Sequence, residues 1–233
     1  MSIAENLALV GRRIAEKARS VGREPEDITL IAVSKTFPAL LVEEAARGGQ
    51  VHFGENRVQE GEDKIPAVNH DGLIWHLIGH LQSNKAKRAV QLFHCIHSVD
   101  SVALLQKLEL QAASINKRIP VLLQLNLAGE ESKFGMPESE LDSALDAALQ
   151  FHNVRAEGLM IMPPFYDDAV RVRPFFRRLR ELLDYSRKRC PTLPLKHLSM
   201  GMSHDFEEAI EEGATMIRVG TAIFGKRTTQ PRA

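Results

Sequence analysis

Short apolar runs alternate with amphipathic stretches along almost the entire chain. The first run, Ile28–Lys35, is rich in β-branched and aliphatic residues and has no turn former inside it, which predicts a buried strand. The predicted strands are Ile28–Lys35, Val51–Asn56, Leu73–His80, Cys95–Val99, Pro120–Leu127, Val154–Met162, Leu195–Met200 and Met216–Phe224. The stretches between them carry apolar residues at helical spacing, and a leading segment from about Ser2 to Val21 predicts one further helix.

The alternation of strands and helices predicts the fold. A repeated strand and helix order implies parallel strands joined by crossover connections. Eight such units in 233 residues match a (β/α)8 TIM-type barrel, an α/β fold, here with an extra N-terminal helix. A doubly wound open sheet is the alternative, but it more often has fewer strands. We expect residues 1–225 to form this single domain and residues 226–233 to form a polar, frayed tail.

Composition and charge narrow the function classes. The chain has 30 basic and 30 acidic residues, so its formal net charge is zero, which argues against binding nucleic acid or anionic membranes. No apolar run is long enough to span a bilayer, and the first residues lack the order of a signal peptide. The two cysteines form no metal or disulfide framework, which fits a cytoplasmic location. No extended apolar stripe is evident, so a monomer is expected.

Polar and small residues concentrate at the predicted carboxyl ends of the strands, where active sites of such barrels lie. Lys35 closes the first predicted strand, where its amine can either pair with a carboxylate or form an imine with an aldehyde. The segments Ser199–Ser203 and Gly220–Thr221 end the last two strands, a position where this fold often holds phosphate on backbone N–H groups. Each segment alone is also typical of a turn. Their occurrence on adjacent strands favours a phosphate site.

Arg218 lies inside an otherwise apolar strand, on the same face as Met216 and Gly220. A buried arginine needs a partner. That partner is either a neighbouring carboxylate in a buried ion pair, or a ring nitrogen or anionic group of a ligand.

Two pairs of histidines raise the question of a metal site. His76 and His80 have i, i+4 spacing, and His94 and His97 form a similar pair. No cysteine or carboxylate run completes a ligand set beside them. No metal is therefore predicted.

Six segments together resemble one protein family closely. They are Ala32–Thr36, His52–Asn56, Trp75–Lys85, Gly158–Met160, Leu198–Ser203 and Ile217–Gly225. The segment Trp75–Lys85, which reads WHLIGHLQSNK, is the most specific of them. With these residues the chain resembles the pyridoxal phosphate homeostasis protein family, which is related to the barrel domain of bacterial alanine racemases. The resemblance extends from the leading helix to Gly225.

The resemblance implies a cofactor and the residues that bind it. Lys35 would hold pyridoxal 5′-phosphate (PLP) as an internal aldimine, and Arg218 would face the pyridine nitrogen. The candidates for holding the phosphate are Ser199, Gly201, Ser203, Gly220 and Thr221. Those for lining the ring or the entrance are Asn56, His80 and Met160.

The expected chemistry follows from Arg218. Arginine keeps its proton and donates to an unprotonated ring nitrogen, which weakens the ring as an electron sink and predicts poor transamination and decarboxylation. Racemisation stays open, because the racemases that the chain resembles also use an arginine. In the racemases that the chain resembles, a tyrosine on a separate domain supplies a second acid–base group, and this chain has no room for that domain. The expected function is a PLP carrier in vitamin B6 homeostasis with little or no turnover, which hands PLP to apo PLP-dependent enzymes. The alternatives are a racemase of the alanine racemase type and a barrel that binds another phosphate ester, with Lys35 as a charge partner.

Overall fold

The computed structural model describes residues 2–130 and 133–225, and its core is a closed barrel of parallel strands. The strands are β1 Thr29–Val33, β2 His52–Glu55, β3 Ile74–Leu77, β4 Cys95–Val99, β5 Ile119–Leu125, β6 Val154–Ile161, β7 His197–Met202 and β8 Met216–Val219. Each strand pairs with its neighbours in sequence, and β8 closes the ring against β1. The predicted barrel is confirmed, because an open doubly wound sheet would leave two unpaired edges.

Helices cover the outside of the barrel. They are α1 Ile3–Ser20, α2 Ala39–Arg47, α3 Val58–Lys64, α4 Ala86–Leu92, α5 Val102–Ser114, α6 Leu141–Ala148, α7 Arg173–Arg189, α8 Phe206–Glu211 and α9 Thr221–Phe224. Short 3-10 turns lie at Pro25–Asp27, Ile65–Ala67, Ser83–Lys85, Glu138–Glu140 and Ala169–Val172. Within the described residues, none of these helices has both the length and the apolar character needed to cross a membrane.

The leading helix α1 is the extra N-terminal element that the sequence predicts. A capping box fixes its start, because the Glu5 N–H donates to the Ser2 hydroxyl (3.2 Å) and the Ser2 N–H donates to the Glu5 carboxylate (2.8 Å). Val10, Ile14 and Ala18 lie on its buried face, and the helix packs against α8 and α9. It therefore covers the part of the barrel that the final elements of the chain form.

The last strand is shorter than predicted. β8 ends at Val219 and is followed by α9, so the prediction that this strand continues to Phe224 is wrong. Ile223 is buried and its N–H donates to the Gly220 carbonyl (2.9 Å), as in a helical turn. A short apolar run has the same composition in a strand and in a buried helical turn, so composition alone does not separate them. The tail predicted for residues 226–233 lies outside the described residues.

The barrel interior has an apolar part and a polar part. The apolar part is a buried cluster of Ile31, Leu122, Met160 and Met216. The polar part consists of the buried side chains of His76, His97, Ser199 and Arg218, which are linked by hydrogen bonds. Both parts meet on β8, because Met216 and Arg218 share one face of that strand. The larger apolar core lies between the strands and the surrounding helices.

A buried carboxylate at the end of α8 forms ion pairs with arginines of α7. Glu212 is only 3% exposed and lies within ion-pair distance of Arg173 (3.4 Å), Arg177 (2.9 Å) and Arg180 (3.4 Å). Burial alone would raise the pKa of this carboxyl group. The hydrogen bond and charge of Arg177, with the charges of the other two arginines, outweigh burial and lower the pKa. The arginine-rich face of α7 therefore has a structural partner.

A second buried ion pair lies beneath the carboxyl ends of β1 and β2. Lys64 Nζ donates to Glu55 Oε1 (2.6 Å) and to the Ser34 carbonyl (2.7 Å), while the Ser34 hydroxyl also donates to Glu55 Oε1 (2.6 Å). Burial raises the pKa of Glu55, and the charge of Lys64 opposes that rise. These bonds join β1, β2 and α3 directly behind Lys35.

We expect Glu212→Gln to lower the free energy of unfolding at pH 7 by roughly 2 kcal/mol, because the three arginines lose their carboxylate. The folded pKa of Glu212 lies below its ordinary value of 4.5, so the stabilisation is present above that value and is lost as the pH falls through the folded pKa. Urea titrations at several pH values should therefore show the difference from the native protein narrowing in acid. Glu138→Gln is the matched control, since its pair with Arg178 is exposed and should contribute little. A loss for the control as large as that for Glu212→Gln would contradict this interpretation.

We expect Lys64→Met to lower the free energy of unfolding by about 3 kcal/mol, because it leaves the Glu55 carboxylate buried without a counter-ion. The double variant Glu55→Gln with Lys64→Met should recover much of this loss, since the Ser34 hydroxyl can still donate to the amide oxygen. Urea unfolding of the single and double variants measures the coupling between the two residues. Arg88→Met, which removes an exposed pair with Glu62, should change little. Equal losses for the single and double variants would show that the pair itself is not the cause.

Candidate functional site

A cavity of about 250 Å³ opens at the carboxyl ends of the strands. Its walls come from the ends of six strands and the loops after them: Val33, Lys35, Asn56, Ile78, Met162, Phe165, Met202, Ser203, His204, Arg218, Gly220 and Thr221. Six predicted site residues are among them, namely Lys35, Asn56, Ser203, Arg218, Gly220 and Thr221. The cavity therefore lies at the face where barrels of this type carry their active sites.

Lys35 lies two residues beyond the end of β1, on the inward-facing side, and is half-buried in the cavity wall. The preceding Ser34 points outward, where its hydroxyl donates to Glu55. Thr36 follows with a φ of 67°, a left-handed conformation that a β-branched residue rarely adopts. The Thr36 N–H donates to the Glu60 carboxylate (3.0 Å), which helps to hold this strained turn. The backbone is therefore anchored on both sides of the lysine.

Ser203 connects the loop after β7 to the start of α9. Its hydroxyl oxygen accepts hydrogen bonds from the backbone N–H groups of Gly220 (3.2 Å) and Ala222 (3.4 Å). The loop itself is held by Asp205, whose carboxylate accepts from the Met202 N–H (2.6 Å). Burial raises the pKa of Asp205, although that hydrogen bond and the charge of Arg218 oppose the rise. Hydroxyl and backbone donors from the last two strands thus lie in one place, as the sequence predicts.

Gly201 is buried and is not among the residues that line the cavity. Its φ of 90° is in the region that favours glycine. A Cβ at this position would lie 2.6 Å from the Cβ of Ala209 and 3.0 Å from the Cα of Phe206. The position therefore requires glycine for the close approach of α8 to β7.

Arg218 is 3% exposed and contributes to the cavity wall. Nη1 donates to the Ser199 hydroxyl (2.6 Å) and Nη2 donates to the Ile161 carbonyl (2.9 Å). Burial lowers the pKa of Arg218 to about 10, and the charge of Asp205 opposes this effect. The guanidinium is thus protonated at neutral pH, and its hydrogen-bond partners are a hydroxyl and a carbonyl rather than a carboxylate.

Met160, Ser199 and His80 are also not among the cavity-lining residues. Met160 and Ser199 are fully buried in the barrel interior, deeper than the cavity. Met162 occupies the wall instead, two residues further along the same face of the chain. His80 lies beside the cavity, where its ring stacks on Phe134 with centroids 3.8 Å apart.

The cavity wall includes six residues that are not among the individually predicted site residues. They are Val33, Ile78, Met162, Phe165, Met202 and His204. Strand alternation could have found Val33, since it shares the inward face with Lys35. No comparable signal identifies Phe165 or His204, because they lie in loops whose path the sequence pattern does not determine.

The histidines that contact each other in the structure are not the ones that are closely spaced in the sequence. His76 on β3 and His97 on β4 lie in the barrel interior with Cys95, and their possible ligand atoms lie within 4.8 Å of one another. Such a group could hold a metal ion. Both ring nitrogens of His76 and of His97 already have hydrogen-bond partners in the structure, which compete with that role.

The donors in the cavity suit a phosphorylated ring that carries an aldehyde. Lys35 supplies a primary amine, the group that forms imines with aldehydes. Arg218 supplies a cationic donor that cannot accept a hydrogen bond. Ser203 and Thr221 add hydroxyls beside the Gly220 backbone, and the remaining wall is largely apolar.

Comparison with known sequences identifies relatives of almost the same length. The family described as "Alanine racemase, N-terminal domain" matches residues 11–228. Three bacterial relatives carry the name pyridoxal phosphate homeostasis protein. The Aquifex aeolicus protein is 41% identical, with 97% of this chain and 99% of the relative covered. The Pseudomonas aeruginosa protein is 43% identical with 97% and 96% covered, and the Escherichia coli K12 protein is 42% identical with 97% of each covered.

Comparison with solved structures finds proteins of the same barrel fold. PipY from Synechococcus elongatus PCC7942, solved with PLP bound, has a TM-score of 0.85 at 40% identity, covering 96% of this chain and all of PipY (100%). Alanine racemase from Corynebacterium glutamicum has a TM-score of 0.74 at 17% identity, which shows a likeness of fold alone, and 63% of that chain is covered. The family match and the relatives of more than 40% identity together show that this chain belongs to the pyridoxal phosphate homeostasis protein family, a family built on the barrel of the alanine racemase N-terminal domain.

Proposed function

We propose that this protein binds PLP in the cavity, carries it covalently on Lys35 and serves intracellular PLP homeostasis. The observation that carries the proposal is the meeting of Lys35, Arg218 and the Ser203–Gly220 hydrogen bond in one cavity. The PLP-bound PipY structure, from a protein 40% identical to this chain, supports the same ligand.

Each predicted site residue has a role in this proposal. Ser203, Gly220 and Thr221 hold the phosphate, and Arg218 donates to the pyridine nitrogen. Asn56 lines the ring and His80 the entrance. Three predicted residues act from below the cavity. Met160 packs beneath the ring, Ser199 holds Arg218, and Gly201 shapes the loop after β7.

Arg218 limits the chemistry that bound PLP can support. PLP stabilises carbanions best when its ring nitrogen is protonated, which an acidic partner would favour. Arg218 keeps its own proton at neutral pH, because its pKa of about 10 is still well above 7. It can therefore only donate, and the ring nitrogen that it contacts stays unprotonated. This favours storage and transfer of the cofactor over turnover.

An open rim supports exchange with other proteins. Phe165 is 71% exposed and Met162 is 42% exposed, although both line the cavity. The cavity thus borders directly on accessible surface, from which apo PLP-dependent enzymes could receive PLP. We propose that the protein acts in this way as a monomer in the cytoplasm.

A racemase of the alanine racemase type is the second candidate function. His204 lines the same cavity as Lys35 and is exposed, so it could supply a second acid–base group. Its Nε2 lies 3.0 Å from the Tyr166 carbonyl and 3.1 Å from the Asp167 carbonyl, contacts that draw an N–H toward the loop. These contacts favour a structural role for His204.

The native protein incubated with PLP should turn yellow, and borohydride should fix the cofactor to Lys35, as peptide mass spectrometry would show. Lys35→Ala should lose both properties, because no other lysine lines the cavity among the described residues. Lys85→Ala, at a neighbouring groove, is the control and should behave like the native protein. A protein that stays colourless with added PLP, or that is labelled at another lysine, would overturn the proposal.

The PLP-loaded protein should racemise L-alanine no faster than its Lys35→Ala variant, because racemisation needs a second acid–base group opposite Lys35 and the contacts of His204 favour a structural role. Chiral chromatography of the amino acid after long incubation measures this. Lys35-dependent formation of D-alanine that is lost in His204→Gln would instead establish the racemase alternative.

A further inference from the structure

A column of hydrogen-bonded side chains runs through the barrel from the cavity wall to the opposite end of β2. Arg218 Nη1 lies 2.6 Å from Ser199 Oγ, and that oxygen lies 2.8 Å from His97 Nδ1. His97 Nε2 lies 2.9 Å from His76 Nδ1, and His76 Nε2 lies 3.0 Å from His52 Nδ1. His52 is the first residue of β2 and is half-buried, whereas the other four members are buried.

The chemistry of the groups gives the column a direction. A guanidinium has no acceptor, so Ser199 Oγ must accept from Arg218. The single hydroxyl hydrogen of Ser199 then has His97 Nδ1 as its acceptor. His97 is accordingly protonated at Nε2 and donates to His76, which in turn donates from Nε2 to His52. The reverse direction would leave the Ser199 hydrogen without an acceptor among its contacts in the described residues.

The column requires neutral imidazoles, since each ring must offer one donor and one acceptor. Burial is the main cause that lowers the pKa of His76 to about 3 and the pKa of His97 well below its ordinary value. Burial also lowers the pKa of His52. The neighbouring groups His94, His197 and Arg218 also lower the pKa values of these rings, and the carboxylate of Asp205 acts on Arg218.

We infer that Ser199, His97, His76 and His52 are positioning residues for Arg218. They form a one-way hydrogen-bonded column that holds the guanidinium at the cavity wall in the orientation from which it donates to the ring of the bound ligand. This inference rests on the proposed function for the identity of the ligand, PLP, but the column itself is a property of the protein without ligand.

The same geometry excludes a role as a proton relay to the cavity. A relay needs a vacant nitrogen or oxygen at its receiving end, and the guanidinium of Arg218 has none. The column therefore acts on the position of Arg218. Ser199 lies between the cavity residue and the histidines, so it is the link through which they act.

Histidine tautomers test the direction of the column without any cofactor. Nitrogen NMR of ¹⁵N-histidine-labelled protein at pH 7 distinguishes neutral Nε2–H, neutral Nδ1–H and charged rings, and His→Phe variants assign the signals. We expect His52, His76 and His97 to be neutral Nε2–H tautomers. An Nδ1–H or charged ring at His76 or His97 would overturn the inference. Stoichiometric zinc in the purified protein would also overturn it, because a metal on His76, Cys95 and His97 would occupy the nitrogens of the column.

Variants of the column test its effect on the cavity. Ser199→Ala and His97→Phe should weaken PLP binding about 10-fold and shift the absorbance band of the loaded protein, because Arg218 loses the acceptor that orients it. Borohydride should still label Lys35 in both variants. His97→Asn, which keeps a donor and an acceptor, should restore part of the binding. Cys95→Ala, buried beside the column, is the matched control and should change neither readout.

The outcomes separate the two proposals. A native protein that takes up no PLP contradicts the proposed function, while the tautomers still decide the column. A native protein that binds PLP, with Ser199→Ala matching it in affinity and spectrum, overturns the positioning role. Circular dichroism checks folding, and if His97→Phe does not fold, Ser199→Ala decides, since it removes only one oxygen atom.

Discussion

The interior of this barrel is organised by the need to satisfy one buried cation. A guanidinium removed from water requires acceptors, and Arg218 finds them in a hydroxyl and a carbonyl. The hydroxyl of Ser199 then needs an acceptor of its own, which His97 supplies. Barrels of this kind usually fill their interior with layers of branched apolar residues. Here such packing remains around Ile31 and Met160, and the rest of the interior is polar because a charged donor lies at its top.

The ion pair of Lys64 and Glu55 stabilises the carboxyl ends of β1 and β2 from outside the sheet. It holds the Ser34 carbonyl, so the strand end that carries Lys35 is fixed independently of the interior. The two sides of the cavity thus depend on separate polar clusters, one between the strands and α3 and one inside the ring. The proposed role of Lys35 needs such preorganised support, because an amine reacts efficiently only where its surroundings keep it in place.

The fold was predictable because its signals are local. Eight apolar runs separated by amphipathic segments determine the strand count, and the closed barrel follows from that count and from the parallel order. The end of β8 was not predictable, because Ile223 is as apolar in α9 as it would be in a strand. Thr36 also escapes a local argument, since a left-handed threonine depends on the distant carboxylate of Glu60.

The candidate site was predictable where chemistry and strand ends coincide, as at Lys35, Arg218 and Ser203. The sequence pattern does not show how deep in the barrel a residue lies. Met160 and Met162 share a face, and only the three-dimensional barrel shows which one reaches the cavity. The partners of Arg218 were likewise left open, because the contact between His76 and His97 depends on the register of β3 against β4. The residues of one strand alone do not determine its register against the neighbouring strand.

The closure of β8 on β1 has a consequence for assembly. Lys35 follows β1 and Arg218 lies on β8, so two neighbouring elements of the cavity come from opposite ends of the chain. Bringing such distant segments together carries a large loop-closure entropy and requires the intervening strands to be in place. On a ribosome, the segment with Lys35 emerges long before β8 is synthesised. The nascent chain therefore has no complete cavity until its last strand docks, and formation of the ring and formation of the ligand site are a single event.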